Sequence, residues 1–206
     1  MKSWEEIRPW RVQLRKRLIE ERMAMNPAAR EAQGEAVRSR IAAEIDLGAG
    51  AIGIYWPIRG EIDLRALARA HIERGGTVGL PVVVEPFAPL EFWRWSPGTP
   101  LRHDRAKIPI PAERDPVQPQ ALLIPLVGYD PDGYRLGYGG GYYDRTLAAA
   151  RPCPLRVGLG YEEARLQSIH PQPHDIPMDV IVTAGGIRWF ERAPSASGPA
   201  PGKGAR

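Results

Sequence analysis

Short, nearly uniform apolar runs separated by helix-like stretches constrain this chain more than any other feature. Ala51-Ile52-Gly53-Ile54-Tyr55, Thr77 to Val84, Ala121 to Ile124, Leu155 to Leu159 and Val180 to Thr183 are runs of this kind. A strand with one wet face alternates polar and apolar residues. A run without alternation is buried on both faces, as in a parallel sheet. Parallel neighbours need long crossovers, which helices supply. Between the first two runs, Asp63 can cap a helix over Leu64 to Arg74 that Gly75-Gly76 ends. Strand, helix and strand in that order predict a right-handed βαβ unit and an α/β domain. Leu90 to Trp95 is a further strand candidate, and Trp56-Pro57 closes the first run. Residues 96–120 are proline-rich and read as a long ordered connection over the surface.

Two helices are expected before the first strand. From Trp4 to Met25, Ile7, Trp10, Leu14 and Leu18 recur at helical spacing, with Arg8, Arg11 and Arg15 on the face beside that stripe. Asn26 suits a cap and Pro27 a first helical position. The second helix should run to about Ile45, with Gly48 and Gly50 breaking it. Residues 1–192 read as one domain. From 193 onward the chain is rich in Pro, Ser, Gly and Ala and is expected to be a disordered tail. No internal repeat is found.

Composition removes several classes. No apolar run is long enough to cross a bilayer, and the acidic start Met1-Lys2-Ser3-Trp4-Glu5-Glu6 lacks the apolar core of a signal peptide. The lone Cys153, between prolines, allows no intrachain disulfide and reads as structural. These features fit a cytoplasmic protein that does not engage a membrane. The net charge of +4 permits anionic ligands, but the arginines are spread through every segment with acids among them. A nucleic-acid module carries a denser basic stripe and a recognisable motif, so nucleic-acid binding is not expected. His71 and His103 read as surface residues.

The chemistry is concentrated in Arg135-Leu136-Gly137-Tyr138-Gly139-Gly140-Gly141-Tyr142-Tyr143-Asp144. Glycines let the backbone turn sharply and bring its N–H groups close to an anion. An arginine adds a fixed cation suited to phosphate, and an aspartate can hold magnesium. A helix from Tyr142 to Ala150 would put the loop at a helix N-terminus, where backbone dipoles favour anions. The segment therefore reads as a nucleotide-phosphate site; the bland alternative is a glycine-rich surface turn with packed tyrosines. It is neither common nucleotide loop. Counted from Gly137 or Gly139, the third glycine of G-x-G-x-x-G falls on Tyr142 or Asp144, and Gly141 is followed by tyrosines rather than Lys-Ser/Thr.

The R-x-G-x-G-x-G-Y-Y-D spacing resembles the 5-formyltetrahydrofolate cyclo-ligase family. The resemblance extends to Ala121–Val127 with Tyr129-Asp130, Arg145-Thr146-Leu147, Arg156–Tyr161, His174-Asp175-Ile176-Pro177-Met178-Asp179 and Val180–Thr183. Upstream it includes Tyr55-Trp56-Pro57, Glu61-Ile62-Asp63 and Arg11-x-x-Leu14-Arg15-Lys16. It covers most of residues 10–190. It implies a three-layer α/β/α domain with a mostly parallel sheet, similar to the NagB/RpiA/CoA-transferase-like fold. It also implies an ATP- and magnesium-dependent ligase, acting as a monomer, that closes 5-formyltetrahydrofolate to its methenyl form.

The resemblance also assigns residues. Gly137, Tyr138, Gly139, Gly140, Gly141, Tyr142 and Tyr143 would form the nucleotide site with Arg11, Arg15 and Arg135. Asp144 and Asp175 would hold magnesium. Glu61, Trp56 and Tyr142 would meet the reduced formyl folate, with Tyr142 stacking near its ring. Arg135 and Tyr142 would stand at the reacting centre. His174 would orient rather than ligate. Alanine at Asp144 or Arg135 should abolish turnover with the fold intact. The chain departs from the family in places: Arg11 replaces a lysine, and Lys107-Ile108-Pro109-Ile110-Pro111 lacks the glutamate of G-I-x-E-P. Leu90 likewise stands where the family's M-x-F has methionine. The alternatives are a paralogue with another small substrate, a non-catalytic folate- or nucleotide-binding module, and a fold-level relative such as a sugar-phosphate isomerase or coenzyme A transferase.

Overall fold

The computed structural model describes residues 3–191, so the expected tail from residue 193 lies outside the described residues. Helix α1 is Trp4–Ala24, opened by a capping box in which Ser3 and Glu6 satisfy each other's backbone N–H groups. Helix α2 is Pro27–Glu44, with the Asn26 side chain accepting from Ala28 and Ala29. The first crossover runs from β1 (Ala51–Gly53) through α3 (Arg65–Glu73) to β2 (Thr77–Val82), and the two strands pair in parallel. Leu64 rather than Asp63 is the cap residue of α3, although Asp63 Oδ1 accepts the Arg65 N–H at 2.9 Å.

After β3 (Glu91–Trp95), the proline-rich connection contains β4 (Leu101–His103), β5 (Pro109–Pro111) and β6 (Pro116–Val117). Residues 107–111 thus enter a small hairpin, with Ile110 buried against Val82 and Trp93. Then come β7 (Ala121–Pro125), the hairpin β8 (Gly128–Tyr129) and β9 (Arg135–Leu136), helix α4 (Tyr142–Ala149), β10 (Leu155–Leu159), β11 (Val180–Thr183) and β12 (Gly186–Trp189).

The main sheet has the order β12-β11-β10-β7-β1-β2-β3-β6. Its centre, from β11 to β2, is parallel, and antiparallel strands flank it on both sides. The apolar runs of the sequence are the central strands. Successive side chains point to opposite faces. Ala121, Leu123, Val157, Val180 and Val182 therefore join Val37 and Ile41 of α2 and Leu67 of α3 in one core. Leu122, Ile124 and Ile181 join Leu147 of α4 in another. Helices thus cover both faces of a mostly parallel sheet. Helix α1 lies outside these layers. Its Leu14 and Leu18 pack on Val127, Leu136 and Ile169, which anchors it beside the β8–β9 hairpin.

Two single-residue expectations are corrected. His71 is buried, with Nε2 2.9 Å from the Gly50 carbonyl, because the end of α3 folds back over the start of β1. Cys153 is free and exposed. No helix among the described residues is long and apolar enough to cross a membrane.

Candidate active site

The buried stripe of α1 is Ile7, Arg11, Leu14, Leu18 and Arg22. Arg11 and Arg22 therefore lie on the apolar stripe, not beside it, at steps of three and four residues that keep one face. A guanidinium placed there must find acceptors in the protein. Arg22 was not singled out from the sequence, although its spacing from Leu18 could have shown it.

The glycine-rich loop leaves the central strand β7 through the β8–β9 hairpin. Asp130, 1% exposed, pins that hairpin. Its Oδ1 accepts from the N–H groups of Asp132 and Tyr134, and its Oδ2 from Ile169. Beyond β9 the backbone takes left-handed turns at Gly139 (φ +93°) and Gly141 (φ +64°), and Gly141 opens α4. Only glycine takes these angles without cost. Arginines hold the loop's carbonyls: Arg15 Nε donates to Gly137 O at 2.6 Å, and Arg145 Nη2 to Gly140 O at 2.6 Å. The N–H groups of residues 138–141 donate no hydrogen bond among the described residues. Left-handed turns with open amides at a helix N-terminus are a geometry suited to an anion.

The arginines differ in how far they are committed. Arg15 lies so close to Gly139 that a Cβ there would be 3.1 Å from its Cζ. Burial, and then the neighbouring Arg11, lower its pKa. Among the described residues no carboxylate pairs with it, so its charge is available to an incoming anion. Arg11 is spent: its Nη2 contacts Asp175 Oδ2 at 2.6 Å, while Nε and Nη2 donate to the carbonyls of Ile169 and His170. Arg135 is also paired, its Nη2 2.9 Å from Asp144 Oδ1 and its Nη1 donating to Ile176 O.

The two predicted metal carboxylates are unequal in the same way. The Arg135 contact and the Ile176 N–H both go to Asp144 Oδ1. Asp144 Oδ2 is left for a ligand, on the first turn of α4. Asp175 uses both oxygens, Oδ1 and Oδ2 toward Arg11 and Oδ2 also toward the Gln172 N–H. No group of three or more His, Cys, Asp or Glu residues that could hold a metal ion is found among the described residues. A hard carboxylate oxygen suits magnesium, and Asp144 could hold one through Oδ2. Both oxygens of Asp175 are thus engaged by Arg11. His174 is exposed and stands edge-on to Trp4, with its centroid at 5.9 Å.

Glu61 is brought beside the loop. Its Oε1 accepts from the Tyr138 hydroxyl at 2.6 Å and its Oε2 from the Ile58 N–H at 2.9 Å. Burial raises its pKa; the Tyr138 hydroxyl, the Ile58 amide, Arg22 and Arg59 oppose that rise. Tyr142 shields Gly140, and Arg145 stacks on its ring with Cζ 5.0 Å from the centroid. Arg135 lies over the Tyr143 ring at 5.9 Å. The Tyr143 hydroxyl is buried with no hydrogen-bond partner among the described residues. Trp56 faces α3 instead, edge-on to Trp95 at 6.3 Å with Arg65 over its ring at 5.1 Å. Phe92 is buried in the sheet core.

Fold and loop together define an α/β protein with a glycine-rich loop of open amides beside a buried carboxylate. A model of the 5-formyltetrahydrofolate cyclo-ligase family matches residues 7–184, and the chain belongs to that family. It is similar to the 5-formyltetrahydrofolate cyclo-ligase of Mycolicibacterium smegmatis, at 31% identity over 83% of this chain and 92% of that protein. The Escherichia coli K12 cyclo-ligase is 30% identical over 81% of this chain and 96% of its own length. Among solved structures, the 5,10-methenyltetrahydrofolate synthetase of Aquifex aeolicus superposes with a TM-score of 0.76. It is 28% identical over 91% of this chain and 96% of that one.

Proposed function

We propose that this chain is a ligase that uses ATP to convert 5-formyltetrahydrofolate to 5,10-methenyltetrahydrofolate, releasing ADP and phosphate. Family membership over residues 7–184 supports the reaction. The observation that carries the site is the loop over residues 138–141, whose open N–H groups lie beside the unpaired Arg15. In the proposed sequence the formyl oxygen takes the γ-phosphoryl group and ADP leaves. The side-arm nitrogen then attacks the formyl carbon, its proton is lost, and the carbon–oxygen bond breaks to release phosphate.

Such a reaction needs alignment and charge stabilisation more than covalent help. The loop N–H groups and Arg15 would hold the phosphates, and Arg135 would keep Asp144 in place. A magnesium ion on Asp144 Oδ2 would offset phosphate charge. Glu61 would accept N–H groups from the pterin edge while Tyr142 covers the ring. Arg11 would act by fixing the 169–175 segment against α1. We read residues 1–192 as one domain of the three-layer fold shared with sugar-phosphate isomerases and coenzyme A transferases, acting as a cytoplasmic monomer.

The test is growth of the methenyl absorbance band when purified protein meets 5-formyltetrahydrofolate, ATP and magnesium. Growth that requires ATP is expected. Folded protein that gives no growth would overturn the assignment and favour a binding module.

A further inference from the structure

Glu61 is reached by a chain of hydrogen bonds that begins on α1 and passes through the glycine-rich loop. Arg22 Nη2 donates to the Tyr138 hydroxyl at 2.6 Å, and that hydroxyl donates to Glu61 Oε1 at 2.6 Å. A hydroxyl can accept and donate at once, so Tyr138 passes the pull of the guanidinium to the carboxylate. Arg22 is 7% exposed and is fixed from behind, its Nε donating to Arg59 O at 2.9 Å and its Nη1 to Leu126 O at 3.4 Å. The Arg22 and Arg59 guanidinium carbons stand 6.0 and 5.8 Å from the Tyr138 ring centroid. Glu61's other oxygen has the Ile58 N–H as its protein donor.

We propose that Tyr138 and Arg22 are positioning residues for the folate, acting through Glu61: they fix its carboxylate in one orientation and keep it an acceptor for the N–H edge of a pterin. This rests on the folate reading of Glu61. Nothing in the chemistry of an anion-binding loop requires a tyrosine between Gly137 and Gly139, so the loop's phosphate function alone leaves Tyr138 unexplained. Its placement also joins the two ligands, because the residue that supports Glu61 is flanked by the amides that would hold phosphate.

The groups facing Glu61 set the pH behaviour. Arg22 and Arg59 favour its ionised form, the hydroxyls of Tyr55, Tyr143 and Tyr161 lie within its field, and burial opposes its charge. Only the ionised carboxylate accepts two pterin N–H groups. Loss of the Tyr138 hydroxyl raises the Glu61 pKa further, so the acid-side loss of folate affinity moves to higher pH.

The experiment is calorimetric titration of the full chain with 5-formyltetrahydrofolate, without ATP, for wild type, Tyr138→Phe, Glu61→Gln and the double variant. Melting curves establish that each is folded. Tyr138→Phe is expected to weaken folate binding about tenfold, the worth of one hydrogen bond to a charged group. Its acid limb should shift upward in pH. In the Glu61→Gln background the same change should have a much smaller effect, since the charge that the hydroxyl supports is gone. Unchanged folate affinity in folded Tyr138→Phe, or additive losses in the double variant, would overturn the positioning role and leave Glu61's own role standing. Unchanged affinity in Glu61→Gln would remove the folate reading of Glu61, and this proposal with it.

Discussion

Asp144 and Arg135 bind each other, and that changes what a substitution at either position reports. Arg135's side chain is 4% exposed and Asp144's 19%. Removing one partner of such a pair leaves the other's charge buried and costs up to about 3–5 kcal/mol. Asp144→Ala is therefore expected to lower the urea midpoint as well as turnover, contrary to a simple fold-intact loss. Asp144→Asn keeps the acceptor for the Ile176 N–H and is the cleaner probe. Folded Asp144→Asn with wild-type turnover at limiting magnesium would remove the metal role of Asp144. The sequence showed both residues as site candidates. It could not show that they meet, because an Arg and an Asp nine residues apart across a turn have no fixed spacing until the loop's angles are known. Arg11 and Asp175 illustrate the same point over 164 residues.

The loop and α4 form one element, and its geometry depends on two left-handed glycines. The motif's glycines were legible because a dense glycine run beside charged residues has few other uses. Which of them needed positive φ was not legible. Gly137 has open space where a Cβ would go, whereas Gly139 has φ +93° and the Arg15 guanidinium alongside. Gly139→Ala is expected to cost about 1–2 kcal/mol in stability from the left-handed backbone. Its loss of turnover should be much larger, because Arg15 must give way. A Gly139→Ala protein with a raised KM for ATP and a melting temperature lowered by several degrees fits this. Unaltered ATP kinetics would show that the loop does not hold phosphate. Helix α1 carries a similar lesson. Its period was plain, but Arg11 and Arg22 lie on the buried stripe because the 169–175 segment, Arg59, Leu126 and Tyr138 offer them acceptors. No helical wheel contains those partners.

At the scale of the molecule, the site is assembled where the exits of the parallel strands meet α1. The β1 exit brings Glu61, the β7 exit brings the hairpin and loop, and the segment after β10 brings Ile169 to Asp175. Ligand binding should therefore hold separate parts of the chain together. ATP with magnesium at about 100 times its dissociation constant is expected to add about 2.7 kcal/mol, read as a rise of several degrees in melting temperature. Arg15→Gln, which removes the uncommitted cation, should lose most of that rise. A rise of the same size in the variant would take Arg15 out of the nucleotide site. The sequence by itself determined the parallel sheet, the βαβ crossover, the order of the helices and the place of the glycine-rich loop before α4. Those are properties of residues close along the chain, where hydrophobic period and backbone freedom act locally. The tertiary structure alone decided which arginines are spent and which is open, that Trp56 faces α3, and that Glu61 is reached from α1 through Tyr138. Such choices depend on which acceptors packing brings within hydrogen-bond distance, and packing joins residues whose separation in sequence carries no signal.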